Sequence, residues 1–161
     1  MDMNQEASLR DHLQKLLDWE DAHINFDSAV EGIPSQFRGV VPQGLPYSLW
    51  QLVEHLRLTQ HDILEFCRNP AYVEPLPEEY WPRSATPASD AAWDKSIAGF
   101  RGDLRELKQL AADRTVDLFQ RIPHGSGQTY LRELLLVTDH NAYHVAQLVA
   151  VRRSLGIWGA R

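Results

Sequence analysis

The chain has 161 residues, 43% hydrophobic and 24% charged, with a formal charge of −6 at pH 7, a composition that fits one globular domain over residues 1–161 with a core of its own. Its acidic balance, with Lys and Arg scattered, gives no electrostatic footprint for nucleic acid or an anionic membrane, and no apolar run reaches the roughly 18 residues of a membrane span. The opening Met-Asp-Met-Asn-Gln-Glu lacks a secretory pattern, and Cys67 is the lone cysteine; we therefore expect a cytoplasmic protein without an intramolecular disulfide, whose metal ligands can only be histidines and carboxylates.

Four helical segments are predicted. The first runs from about Gln5 to Val30, with Leu9, Leu13, Leu16, Trp19, His23, Phe26 and Val30 at three- and four-residue steps, the rhythm of a core-facing stripe. Gly32 and Pro34 stop it, and Ile33 to Pro46 reads as an ordered loop. The second helix opens at Ser48, where Ser48-Leu-Trp-Gln51 matches a capping box and Tyr47 with Leu52 fits a hydrophobic staple, and it ends before Asn69-Pro70. From Asn69 to Ala85, Pro70, Pro75, Pro77 and Pro82 alternate with Tyr72, Tyr80 and Trp81. A connection of that length is either a crossover pinned by aromatics or a cover over a site.

The third helix is expected to start with Thr86 as N-cap and Pro87 at its first position and to run to about Ala112. It is the most polar, with one face of Phe100, Leu104, Leu107 and Leu110. A turn-rich stretch, Ile122-Pro-His-Gly-Ser-Gly-Gln-Thr129, leads into the fourth helix, from Tyr130 to Leu155, closed by Gly156. The fold expected is all-α: a four-helix bundle with a long Pro-rich crossover between the second and third helices.

The chemistry concentrates in the fourth helix, where His140 and His144 lie in Thr138-Asp-His-Asn-Ala-Tyr-His-Val-Ala-Gln147. Positions four apart on a helix are about 40° apart around the axis and about 6 Å apart along it, so both rings can converge on one ion. The stripe Leu136, His140, His144, Gln147, Leu148, Val151 faces a core, where an unpaired imidazole costs on the order of 1 to 3 kcal/mol. The alternative to a cation is a pair of core histidines bonded to carbonyls or carboxylates. A catalytic zinc-like site uses three protein ligands and leaves a position for water or substrate. His55, beside the apolar face of the second helix, is the best third ligand, whereas His61 and His12 fall among solvated positions.

Other residues are candidates for the pocket or for orienting the ligands. His23 lies on the first stripe and should point into the bundle, as a pocket residue or as a core histidine bonded to a neighbour. His124 either faces the pocket mouth or serves its turn. Asp62 lies on the His55 face, and Asp139 and Asn141 flank the histidine pair; ligand orientation competes there with capping and solvation.

His55, followed 85 positions later by Asp139-His-Asn-Ala-Tyr-His-Val-Ala-Gln147, resembles the DinB/YfiT-like superfamily of metal-binding four-helix proteins. The segments His23-Ile-Asn-Phe-Asp-Ser-Ala-Val30, Trp50-Gln-Leu-Val-Glu-His55 and Ile122 to Thr129 are similar to the small DinB-like proteins of bacteria. The resemblance covers nearly the whole chain. It implies a bundle with a long crossover, a divalent metal on His55, His140 and His144, and a homodimer. Members with known activity include thiol-dependent S-transferases and a mycothiol-dependent maleylpyruvate isomerase, and some relatives are linked to hydrolysis.

Three readings of function follow. In the first, the site binds Zn, Ni or Fe and an exogenous low-molecular-weight thiol, such as bacillithiol, mycothiol or glutathione, is deprotonated there and attacks a small electrophilic substrate. Cys67 cannot supply that thiol, since twelve residues place it about 18 Å along the helix from His55. In the second, the metal carries a hydroxide that cleaves an ester or amide; it needs a base or proton shuttle, and no Glu is evident in that role, which ranks this reading lower. In the third, the metal serves a non-catalytic stress or sensor protein, which a closed four-ligand site would favour.

Overall fold

The computed structural model describes residues 3–18 and 21–159, and all regular structure among them is helical. Five α-helices follow one another: α1 (Met3–Leu16), α2 (Phe26–Val30), α3 (Leu49–Arg68), α4 (Asp90–Ala112) and α5 (Tyr130–Ser154). The one β-type pairing among these residues is an isolated antiparallel bridge between Arg121 and Thr129, which closes the turn ahead of α5. None of the helices is long and apolar enough to cross a membrane.

The single first helix expected over Gln5–Val30 is instead two, α1 and α2. Asn25 takes an extended conformation and its side chain accepts the Ser28 N–H at 3.0 Å, so it caps a new helix rather than continuing an old one. Its amide also donates to Asp18 at 3.2 Å, and Asp18 accepts from Lys108 of α4 at 2.9 Å. Polar contacts thus hold the link between the two helices against the apolar periodicity that favours one. Trp19, part of that periodicity, lies outside the described residues.

The start of α3 follows the sequence expectation. Ser48 Oγ accepts from Gln51 N at 3.2 Å, and Gln51 Oε1 accepts from Ser48 N at 3.1 Å. The Ser48 hydroxyl also donates to the carbonyl of Ala85 at 2.5 Å, tying the entry of α3 to the segment before α4. Between α3 and α4, residues 69–89 contain one 3-10 turn, Pro77–Tyr80. The next helix begins at Asp90, capped by Ser89, and not at Pro87 with Thr86 as cap. Thr86 is drawn into a local turn with Ser84, donating its N–H to Ser84 Oγ at 3.1 Å and accepting the same hydroxyl at its carbonyl at 2.8 Å. Ser89 is then the residue left free to receive the Ala92 N–H, at 3.1 Å. For α5, Thr129 caps the start and Gly156, at φ +70°, ends it.

α3 packs along both α4 and α5; α1 lies against α4 and α5, and α2 against α5. The buried apolar side chains form two clusters. One, around Phe26, Leu49, Leu52, Leu56, Phe100 and Leu148, joins α2 to α3, α4 and α5; the other, around Leu13, Leu64, Leu107, Leu134 and Val137, joins α1 to the remaining halves of the same three helices. Polar side chains lie where they meet. Gln60, wholly buried, donates to the carbonyl of Phe100 at 2.7 Å and accepts from Asn141 at 2.9 Å, linking α3, α4 and α5.

Candidate metal centre

α3 and α5 bring His55, His140 and His144 together. Their ring nitrogens lie within 4.8 Å of one another, and the Nε2 of His55 stands 3.1 Å from Nε2 of both His140 and His144. The facing positions follow from the two helical periods: His140 and His144 are one turn apart on α5, and His55 sits opposite on α3. His55 and His144 are buried and His140 is half-buried.

The outward nitrogens decide the tautomers. His55 Nδ1 lies 2.7 Å from the carbonyl of Tyr80 and His144 Nδ1 lies 2.7 Å from Oε1 of Gln147. A carbonyl only accepts, so both Nδ1 atoms carry the hydrogen, and in neutral rings both Nε2 atoms present lone pairs. Burial, reinforced by His144, lowers the pKa of His55 to about 4 despite the bond to Tyr80; burial and the two neighbouring rings bring His140 to about 4; burial also lowers His144. All three rings are therefore neutral at pH 7. Two lone pairs facing each other at 3.1 Å have no proton to share, and a cation between them satisfies both.

The dimensions suit a small divalent ion. Zn–N bonds of about 2.05 Å at tetrahedral angles place the nitrogens about 3.3 Å apart, close to the 3.1 Å separations here. His140 Nδ1 is buried without a hydrogen-bond partner, and so is Oδ1 of the adjacent Asn141.

Aromatic rings close one side. Trp81 stacks on His55 with centroids 3.7 Å apart and planes 8° from parallel, and Tyr47 stacks on the other face of Trp81 at 4.0 Å. Tyr143, exposed, meets His144 edge-on at 4.9 Å. Neither Trp81 nor Tyr80 could be assigned to the site from sequence, because one contributes a stacking face and the other a backbone carbonyl. Gln147 had a visible signal, three residues after His144 on the same stripe; Gln60 showed only as a polar residue among apolar ones.

The other candidates fall around the trio at different distances. Asn141 is buried between the two helices as described above. Asp62 does not reach the histidines directly; its carboxylate accepts the hydroxyls of Tyr72 at 2.6 Å and Tyr80 at 3.0 Å. Asp139 is exposed and borders a cavity of about 180 Å³ between the α1–α2 link and α5. His23 borders the same cavity but is exposed, its Nδ1 2.8 Å from the carbonyl of Ile24. The expectation that it points into a bundle depended on one continuous first helix, and the break before Asn25 removes that basis. His124 is exposed and places Nε2 2.7 Å from the carbonyl of Phe66, one of the last carbonyls of α3, which have no partner within the helix, so it ties the turn to the end of α3. His61 is exposed and faces Asp103 at 3.1 Å, as its position among solvated residues predicts.

A family model for the DinB superfamily matches residues 18–148, which include all three histidines. The chain belongs to the DinB superfamily. No curated protein and no solved structure matches it. Within this DinB chain, Cys67 is buried, and burial, then the charge of Glu133, push its thiol up to about 12. It is a packing residue rather than a nucleophile.

Proposed function

We propose that this DinB protein binds one divalent metal ion (Zn, Ni or Fe) through Nε2 of His55, His140 and His144 and is a metal-dependent S-transferase that uses an exogenous low-molecular-weight thiol on a small electrophilic substrate. The observation that carries the metal reading is the facing of neutral Nε2 lone pairs whose Nδ1 hydrogens are already committed to Tyr80 and Gln147. A divalent ion held there acidifies a thiol or water brought to it. The chain's own residues hold the ligand rings in register, and Trp81 shields His55 from solvent.

Thiol chemistry ranks above hydrolysis because, among the described residues, no carboxylate joins the histidine group to act as a base. Asp62 is taken by two tyrosines and Asp139 is exposed. The thiol comes from outside, such as bacillithiol, mycothiol or glutathione, since Cys67 is buried with a raised pKa. A non-catalytic metal sensor is the third reading; with three histidines and, among the described residues, no fourth His, Cys, Asp or Glu ligand in the group, the site resembles an open rather than a closed one. The same proposal includes a single bundle domain of four long helical units, with α1 and α2 as one of them, residues 69–89 as its crossover, and a cytoplasmic homodimer. Exposed Leu135, Leu136 and Tyr143 on α5 support the pairing.

Metal analysis of the native protein and of His55→Ala tests the site. We expect about one equivalent of metal in the native protein and loss of most of it in the variant; stoichiometric metal retained by His55→Ala overturns the three-histidine assignment. Conjugation of glutathione, bacillithiol or mycothiol to a general electrophile, abolished by a chelator, supports the transferase. Metal-dependent ester cleavage without thiol supports the hydrolase instead, and metal binding with neither activity supports the sensor.

A further inference from the structure

Asp62 and His55 are seven residues apart on one face of α3, about 10 Å along the axis, too far for direct contact. A single residue bridges them from outside the helix. Tyr80 puts its hydroxyl on Asp62 at 3.0 Å and its backbone carbonyl on His55 Nδ1 at 2.7 Å. The next residue, Trp81, stacks on the same imidazole. Two consecutive residues of the segment after α3 therefore fix both the hydrogen and the plane of His55.

That segment has little regular backbone bonding of its own to hold it there. Its 3-10 turn is closed by Glu79 N to Leu76 O at 2.8 Å and by Leu76 N to Glu79 Oε2 at 2.7 Å, contacts that shape the turn but do not attach it to α3. Beyond the contacts of Tyr80 and Trp81 with His55 itself, Asp62 supplies an attachment. Its second oxygen accepts Tyr72 at 2.6 Å, so one carboxylate grips the segment at two points eight residues apart. Burial, then the hydrogen bond to Asp62, raises the pKa of Tyr80 to about 12 and that of Tyr72 further in the same direction; both phenols stay protonated donors throughout the physiological range.

We propose that Asp62 is a positioning residue for the histidine centre, acting through Tyr80 to hold the carbonyl that fixes the His55 tautomer. The affinity part of this proposal rests on the three-histidine metal reading; the tautomer part does not. Groups that orient a ligating histidine typically change metal affinity about 10- to 100-fold when removed.

The test uses the full chain with Tyr80→Phe, which deletes only the hydroxyl, and Asp62→Ala, which deletes both acceptors. Zn²⁺ affinity is measured by competition with a chromophoric chelator, and the His55 ring nitrogens are followed by ¹⁵N NMR in the metal-free protein. We expect both variants to lose about tenfold or more in affinity and the Nδ1–H form of His55 to give way to a mixture of tautomers. Unchanged affinity together with an unchanged Nδ1–H signal overturns the proposal. If the native protein binds no Zn²⁺, the metal reading fails and the metal-free tautomer alone decides: a mixture in Tyr80→Phe supports positioning by Asp62, and a retained Nδ1–H form overturns it. If Asp62→Ala does not fold, Tyr80→Phe carries the same decision.

Discussion

Gln60 shows how much a single buried amide can hold. It has no solvent exposure, and it donates to one helix and accepts from another. Replacing it with leucine of similar size leaves the buried Asn141 amide N–H without its acceptor and takes from the Phe100 carbonyl the donor it has beyond its own helix; we expect Gln60→Leu to cost about 1 to 3 kcal/mol, read from urea unfolding. The histidines make a pH prediction. Their folded pKa values lie below the ordinary value near 6.5, at about 4 for His55 and His140. The unfolded chain then binds more protons than the folded one between those limits, so stability rises with pH across that window. Metal-free protein should lose stability as pH falls from about 6.5 to about 4, and His55→Ala should show a shallower loss. A series of urea midpoints at successive pH values reads both. That His140 and His144 share a face was legible from their four-residue spacing, whereas His55, on another helix, could be joined to them only by its place beside an apolar face and by the family resemblance. The partners of the trio were not legible, because a backbone carbonyl, an indole face and an amide on another helix leave no spacing to recognise.

At the level of elements, the boundaries that follow from local chemistry were readable, and those set by competition between neighbours were not. The Ser48–Gln51 capping box and the Gly156 stop depend on residues a few positions apart. The break before α2 depends on Asn25 reaching Asp18 and on Asp18 reaching Lys108 in another helix, which no periodicity in the first segment encodes. Likewise Thr86 is a sound cap by composition, yet the Ser84 hydroxyl claims its backbone first. That turn also has a tight neighbour: a Cβ built on Gly39 falls 2.8 Å from Thr86 Cβ and 3.0 Å from its Cα. Gly39→Ala should therefore force the loop after α2 away from the entry to α4 and cost about 1 to 3 kcal/mol, measurable as a lowered thermal midpoint. Gly39→Ala combined with Thr86→Gly should recover part of that loss.

Across the whole molecule, helices are tied together at their ends as well as along their faces. Arg10 of α1, 4% exposed, donates to the carbonyls of Ala111 at 3.1 Å, Asp113 at 2.8 Å and Val116 at 2.6 Å, where α4 ends. Arg152 of α5 donates to the carbonyl of Ala29 in α2 at 2.7 Å and lies over the ring of Trp158. Each places a cation at the negative end of a helix and satisfies carbonyls that have no partner within it. Arg10→Met keeps the aliphatic stem and strands the carbonyls of Ala111 and Val116, while that of Asp113 keeps the Val116 N–H, so we expect about 3 kcal/mol of destabilisation, read from denaturant midpoints at constant slope. The amides between the two apolar clusters act on a different variable. The packing of both clusters resists a slide of α5 along α3 by one turn, about 5.4 Å, and the amides add a directional constraint. A slide would unpair Asn141 from Gln60, and Asn141 lies between His140 and His144 in the chain. The pairing of two uncharged amides thus adds to the packing a directional mark of axial registry, and it is in that registry that the three imidazoles meet.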